Sequence, residues 1–303
     1  MRVGYACINV GLAKEKVQVN RSMVKKTFLA KGTGYVSELV LKNLIDFSKI
    51  IDWNIENNIL LYRMSSDMFP WMSEYEFEEL PDFVQIKNIM ACAGEKLMAG
   101  NLRLTFHPGP FDVLATNNTK VLHNTIKDLR QHGEIMDLLG LPQSPFAKIN
   151  VHVGGAYGDK NAAINRFSEN FQLLPECVKR RLTVENDDKI NMYSVKDLLE
   201  IHERTGVPIV FDYLHHQFCT GGWTEDEAMM AALATWPEEI VPIVHFSSSK
   251  KKFEDKSSTA PAHADYIYSH VKRYGKVVDI MFEAKAKELA VLRYVSEYKV
   301  KLV

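Results

Sequence analysis

Short apolar runs rich in β-branched residues recur from end to end of the chain, over 2–9, 60–65, 103–107, 148–153, 182–186, 208–214, 240–246 and 277–283. Between them lie longer stretches whose apolar residues return every three to four positions, the spacing of a half-buried helix. In the first of these, 37–57, Leu41, Leu44, Ile51 and Ile55 share one face, and Ser37 suits a helix start. Further helices are expected near 81–99, 118–139, 161–180, 194–205, 224–235, 262–274 and 284–296. Strand and helix thus alternate eight times, which predicts parallel βα units. The expected fold is α/β, a single-domain (β/α)8 TIM barrel over 1–303. A doubly wound open sheet is the alternative that alternation by itself leaves standing.

No sequence repeat and no Pro/Gly/Ser-rich linker divides the 303 residues. The longest irregular stretches, 11–36 and 247–261, both follow the carboxyl end of an expected strand, the end that carries the active site in barrels. Both are also basic. Between Gly11 and Ser37, Lys14, Lys16, Arg21, Lys25, Lys26 and Lys31 stand against Glu15 alone, a net of +5. Lys250, Lys251, Lys252 and Lys256 form a second run, diluted by Glu254 and Asp255. Either run taken alone reads as a solvated loop; their shared position at strand ends favours a polyanionic partner.

Overall composition changes this picture little. Hydrophobic residues are 46% and charged residues 25%, the profile of a globular protein with a sizeable core. A net charge of −1 rules out nucleic-acid binding through bulk charge and leaves only local patches. Cys7, Cys92, Cys177 and Cys219 show no C-x-x-C spacing and read as reduced thiols of a cytoplasmic protein. The N-terminal apolar run is broken by Asn9, so it reads as a strand and not as a signal peptide. No run reaches the roughly 20 apolar residues of a membrane span, so no membrane partner is expected.

The chemistry lies in what ends each strand. The third closes on His107, the fourth carries His152, the fifth ends in Glu185 and the sixth in Asp212 and His215. His245 is on the seventh, Glu283 ends the eighth, and Asn9 ends the first. One histidine at a strand end is ordinarily a hydrogen-bonded core residue, but six consecutive strands with such endings are not. In a barrel these ends converge, and so many imidazoles and carboxylates in one partly buried site need positive charge among them. Divalent cations supply it, and mixed His/Asp/Glu ligation suits Zn, Mn or Fe better than Ca or Mg. Asp212 and His215 are three apart and would face opposite ways in a regular strand, so the strand must end or bulge between them. His123, His132, His202 and His270 fall in expected helices and read as surface or helix-face residues. His263, beyond the lysine-rich loop, either caps a helix or reaches the cluster. A multinuclear site of this type favours phosphodiester hydrolysis, with cations about 3.5–4 Å apart. The absence of G-x-x-x-x-G-K-[ST], G-x-G-x-x-G and G-x-S-x-G motifs removes support for a nucleotide cofactor or a serine nucleophile.

In order along the chain, G-Y-A-C-I-N (4–9), L-Y-R-M-S-S-D-M-F-P (61–70), F-H-P-G-P-F (106–111), N-V-H-V-G-G (150–155), T-V-E-N-D (183–187), F-D-Y-L-H-H (211–216), V-H-F-S-S (244–248), A-H-A-D-Y-I (262–267) and F-E-A-K-A-K-E (282–288) resemble the UV-damage DNA endonucleases. The resemblance implies a TIM barrel that nicks duplex DNA 5′ to cyclobutane pyrimidine dimers and 6-4 photoproducts. It implies a divalent metal cluster, Mn2+ first, with Zn2+, Mg2+ or Co2+ as alternatives. The implied ligands are His107, His152, Glu185, Asp212, His215, His245, His263 and Glu283. Glu185, His245 and Lys285 are the candidate catalytic residues, with Lys285 contacting either a phosphate or a carboxylate ligand. Tyr5, Asn9, Pro110 and Phe111 fall at lesion-probing positions, Tyr5 and Phe111 being expected to fill the gap left by extruded bases. The chain departs from the family pattern at three places. Pro110 and Phe111 replace Gln and Tyr, Ile243 stands where some members carry a modified lysine, and Trp71 replaces a His. Two other classes remain open: another metal-dependent TIM-barrel enzyme, such as an abasic-site endonuclease or sugar isomerase, and a non-catalytic binder of damaged DNA.

Overall fold

The structure is a computed structural model that describes residues 1–300 and residue 302. All eight expected strands form, each shorter than its apolar run: β1 (Val3–Ala6), β2 (Leu61–Arg63), β3 (Arg103–Thr105), β4 (Ile149–Val151), β5 (Leu182–Glu185), β6 (Ile209–Val210), β7 (Ile243–Phe246) and β8 (Asp279–Phe282). Every ladder is parallel. Two curved sheets, β3-β2-β1-β8-β7 and β4-β5-β6, meet edge to edge. Single parallel bridges, Phe106 to Ile149 and Asp212 to His245, join them into a closed (β/α)8 TIM barrel. The open sheet is thereby excluded.

The helices are α1 (Val10–Lys14), α2 (Lys25–Glu56), α3 (Phe83–Ala99), α4 (Thr119–Leu138), α5 (Lys160–Phe171), α6 (Glu176–Lys179), α7 (Val195–Thr205), α8 (Tyr213–His216), α9 (Glu225–Ala234), α10 (Lys250–Phe253) and α11 (Glu288–Tyr298). Local chemistry sets their starts. Ser194 and Thr224 form capping boxes with Asp197 and Glu227, and Asn118 accepts from the amides of Lys120 and Val121. Among the described residues no helix is long and apolar enough to cross a membrane.

Two expectations are corrected. The stretch 11–36 is not all irregular: α2 begins at Lys25 and breaks at Gly32, whose φ of 59° and ψ of −159° suit only glycine. The helix expected over 262–274 does not form. Ala264, Ile267 and Val271 are buried at a spacing that imitates a helix, but their backbone is held by other partners. The Glu254 carboxylate accepts from the amides of Asp265 and Tyr266, and Ala264 pairs with Ser248 and Lys285.

The barrel floor is polar. Arg103, fully buried, donates to Asp279 at 3.0 Å and to the carbonyls of Pro145, Phe146 and Val241. Asp279 also takes the amide and guanidinium of Arg2. At the opposite end Glu288, the first residue of α11, accepts from the amides of Val10 and Gly11 and so caps α1.

Candidate metal centre

Each strand delivers its polar residue at the carboxyl end of the barrel. Glu185 ends β5 fully buried at the middle of the cluster, as a hydrogen-bond acceptor from Asn150 Nδ2. Its oxygens lie 3.1 Å from His107 Nε2, 3.0 Å from His245 Nδ1 and 3.4 Å from His215 Nδ1. Glu283, just past β8, lies 3.4 Å from His245 Nδ1 and 3.7 Å from His263 Nδ1. β6 does end before His215, as the spacing required: Asp212 caps α8, accepting the amide of His215 at 2.8 Å, and both face the cluster. The turn after His152 needs glycine. Gly155 has φ of 57°, and a Cβ there would meet the carbonyl oxygen of Ala115 at 2.6 Å.

Three sets of ligand atoms, each within 4.8 Å of one another, are built from these residues: His107, Glu185 and His245; His152, Glu185 and His215; Asp212, His245 and Glu283. Glu185 Oε1, Asp212 Oδ2, His152 Nδ1 and His245 Nδ1 are buried without a hydrogen-bond partner. Although His245 Nδ1 and Glu185 are close, their geometry is not that of a hydrogen bond. Orphaned lone pairs converging from four strands fit a divalent cation better than a polar core, in which such atoms find partners. His263, on the loop after β7, is tied through Nδ1 to the carbonyl of Glu283 and stands at the edge of the group.

Electrostatics divides the imidazoles. Burial holds His107, His245 and His263 below the usual histidine range, with His245 pushed down to about 4 against the pull of Glu185. Burial also opposes the proton on His152 and His215. There the carboxylates prevail, Asp187 and Glu185 lifting His152 to about 9, and Asp212 and Glu185 lifting His215 to about 10. Burial and the neighbouring carboxylates raise Asp212 to about 7. A cation must therefore displace protons from His152 and His215. Its affinity is expected to rise with pH and to collapse under acid, with about two protons released per cluster at neutral pH. Calorimetric titration in buffers of different ionisation enthalpy measures that release.

A cavity of about 610 Å³ opens over the cluster, lined by Arg63, His107, His152, His215, Glu283 and the loops 108–113 and 187–192. It is open to a large ligand, and its floor is the ligand ring. The sequence profile described as UV-endonuclease UvdE matches residues 1–302. The chain belongs to that family. The UV DNA damage endonuclease of Bacillus cereus (strain Q1) is 36% identical over 271 residues, covering 86% of this chain and 82% of that relative. The crystal structure of SacUVDE matches with a TM-score of 0.86 at 30% identity, over 99% of this chain and 98% of that one. Endonuclease IV from Thermus thermophilus matches at a TM-score of 0.56 and 14% identity over 98% of each chain, a likeness of fold alone.

For a UvdE-type endonuclease the DNA-facing positions matter next. Phe111 is 87% exposed at the tip of the loop after β3, beside Pro110. Tyr5 is fully buried against Tyr62 in an edge-on pair, with its hydroxyl accepting from Asn9 Nδ2 at 3.0 Å. It sits below the mouth, enclosed by these two partners. Asn9 is buried too, occupied in capping α1 through Leu12 and in holding Tyr5. In this structure both side chains are enclosed beneath the mouth. Lys285 is exposed, while Lys287 is half-buried with φ of 54°, and burial lowers its amine. His132 is no surface residue: it is fully buried on α4, bonded to Ser66 Oγ at 2.9 Å.

Four residues of the site were not found from sequence. Asp187 meets His152 Nδ1 at 3.1 Å, Asn150 holds Glu185, and Arg63 pairs with Glu283. Position 243 carries no lysine, yet Lys148, just before β4 and fully buried, brings Nζ to 3.1 Å from His245 Nε2. Burial lowers that amine to about 7. Asp187 and Asn150 lay inside quoted motifs, one or two residues from a named ligand, which was the available signal.

Proposed function

We propose that the protein nicks the damaged strand of duplex DNA on the 5′ side of cyclobutane pyrimidine dimers and 6-4 photoproducts by metal-assisted phosphodiester hydrolysis, in the cytoplasm. The observation that carries this reading is the ring of orphaned ligand atoms on the floor of an open cavity, in a chain of the UV-endonuclease family.

His107, His152, Glu185, Asp212, His215, His245, His263 and Glu283 would hold the cations, Mn2+ before Zn2+, Mg2+ or Co2+. Bound there, divalent ions supply Lewis-acid charge and make water a stronger acid. Glu185 and His245 act as the shared ligands of that ring, each belonging to two of its three ligand sets. Lys25, Lys26 and Lys31 on the first turns of α2 and Lys251, Lys252 and Lys256 around α10 are exposed. They would grip phosphates on either side of the mouth, so affinity should fall steeply with salt. Lys285, exposed at the rim, is assigned to a phosphate and not to a carboxylate ligand.

Phe111 takes the place of bases extruded at the lesion, where unstacking costs least. A sugar isomerase with the same ligand ring has no use for such an exposed ring. Phe111→Ala is expected to slow nicking of a defined lesion duplex about tenfold or more, since base–aromatic stacking is worth ~1–3 kcal/mol. Thermal stability should not change, because the ring covers nothing. Incubation with UV-irradiated and undamaged plasmid, with Mn2+ or with chelator, tests the whole reading. Nicks are expected only in irradiated plasmid with Mn2+; equal nicking of undamaged plasmid would refute lesion recognition.

A further inference from the structure

Arg63 ends β2 inside the ligand ring, and its side chain is 15% exposed. It lines the 610 Å³ cavity together with His107, His152, His215 and Glu283. Nη1 donates to Glu283 Oε1, and among the described residues no acceptor faces Nε or Nη2. Nε and Nη2 are not among the sealed polar atoms that lack a partner, so these donors open onto the cavity and are available to an anion there. The other permanently charged cation lining the cavity, Lys189, is exposed on the rim, and Lys148 lies behind the ring against His245. Arg63 is therefore the cation on the cavity floor that keeps its charge when the imidazoles act as ligands.

Glu283 also belongs to the set with Asp212 and His245 that could hold a cation, so its charge would be shared between that ion and Arg63. We propose that Arg63 is a catalytic residue: the guanidinium donors that Glu283 leaves unused bind a non-bridging oxygen of the scissile phosphate. The inference rests on the phosphodiesterase reading above and adds the residue that holds the reacting group. The planar fork of Arg matches a phosphate where a lysine would offer only a point charge. A fixed cation in a partly dry cavity stabilises charge gathering on the phosphate during displacement. The competing role is purely structural, a counter-ion that holds β2 to Glu283.

Single-turnover nicking of a duplex with one defined lesion separates the two. It is run on wild type, Arg63→Ala and Arg63→Lys with Mn2+, alongside bound metal by elemental analysis and thermal melting. Arg63→Ala is expected to lose roughly 10²–10³-fold in rate while keeping its bound Mn2+ and remaining folded at the assay temperature. Guanidinium ion added at low concentration should restore part of that loss, and sodium at equal ionic strength should not. Arg63→Lys should fall between the two. Metal lost in step with rate, or no rescue by guanidinium, would overturn the phosphate contact in favour of the counter-ion. Failure of the wild type itself to nick the lesion duplex would instead sink the functional reading, and this role with it.

Discussion

Glu185→Gln is expected to strip bound cations from the protein and to lower lesion-specific nicking by about a thousandfold or more, a loss of ~4 kcal/mol of transition-state stabilisation. Glu185 belongs to two of the three ligand sets, so no cation position built on it survives the substitution intact. Gln keeps the volume and one oxygen for Asn150, which separates charge from packing. The cation-free variant should melt close to cation-free wild type. Elemental analysis together with plasmid nicking decides the matter: full metal content at wild-type rate would show that Glu185 is not a ligand.

Asp279→Ala is expected to cost stability on the largest scale available to one substitution here, with the site chemistry untouched. It removes the carboxylate shared by Arg103 and Arg2 and leaves Arg103 fully buried without a counter-charge. Breaking one side of a buried pair costs about 3–5 kcal/mol, equivalent to a fall of roughly 10 °C in melting temperature for a chain of this size. Burial already weighs on this guanidinium, pulling it down to about 10 despite Asp279. The carbonyls of Pro145, Phe146 and Val241 solvate only part of the unpaired charge. A thermal melt within about 2–3 °C of wild type, against that ~10 °C expectation, would mean that those carbonyls suffice.

The barrel was legible because its strands are buried on both faces and so stand out as apolar runs, each of which shrank only at its ends. The ligand ring was legible for a related reason. A polar residue directly after an apolar strand has one place to go in a barrel, the mouth, and this holds for His107, Glu185 and Glu283 alike. What failed was anything set by a partner distant in sequence. The spacing of Ala264, Ile267 and Val271 matched a helix, but the Glu254 carboxylate took the amides that a helix would have used. Tyr5 matched a lesion-probing position, but Tyr62 and Asn9 enclose it. Lys148 gave no signal, and Arg63 only its place in a quoted motif, since nothing local distinguishes a cation that meets Glu283 or His245 from one that meets water.

The two sheets of the barrel touch through one bridge at each seam, beside His107 on one side and between Asp212 and His245 on the other. Two of the three ligand sets span those seams: His107 and His245 from one sheet join Glu185 from the other, and Asp212 joins His245 and Glu283. An ion bound there would be a rivet as well as a reagent, closing the staves where the backbone binds them least. Loss of the ions should let the cylinder breathe along those two lines, so that the enzyme's reactive state and its tightest state are one and the same.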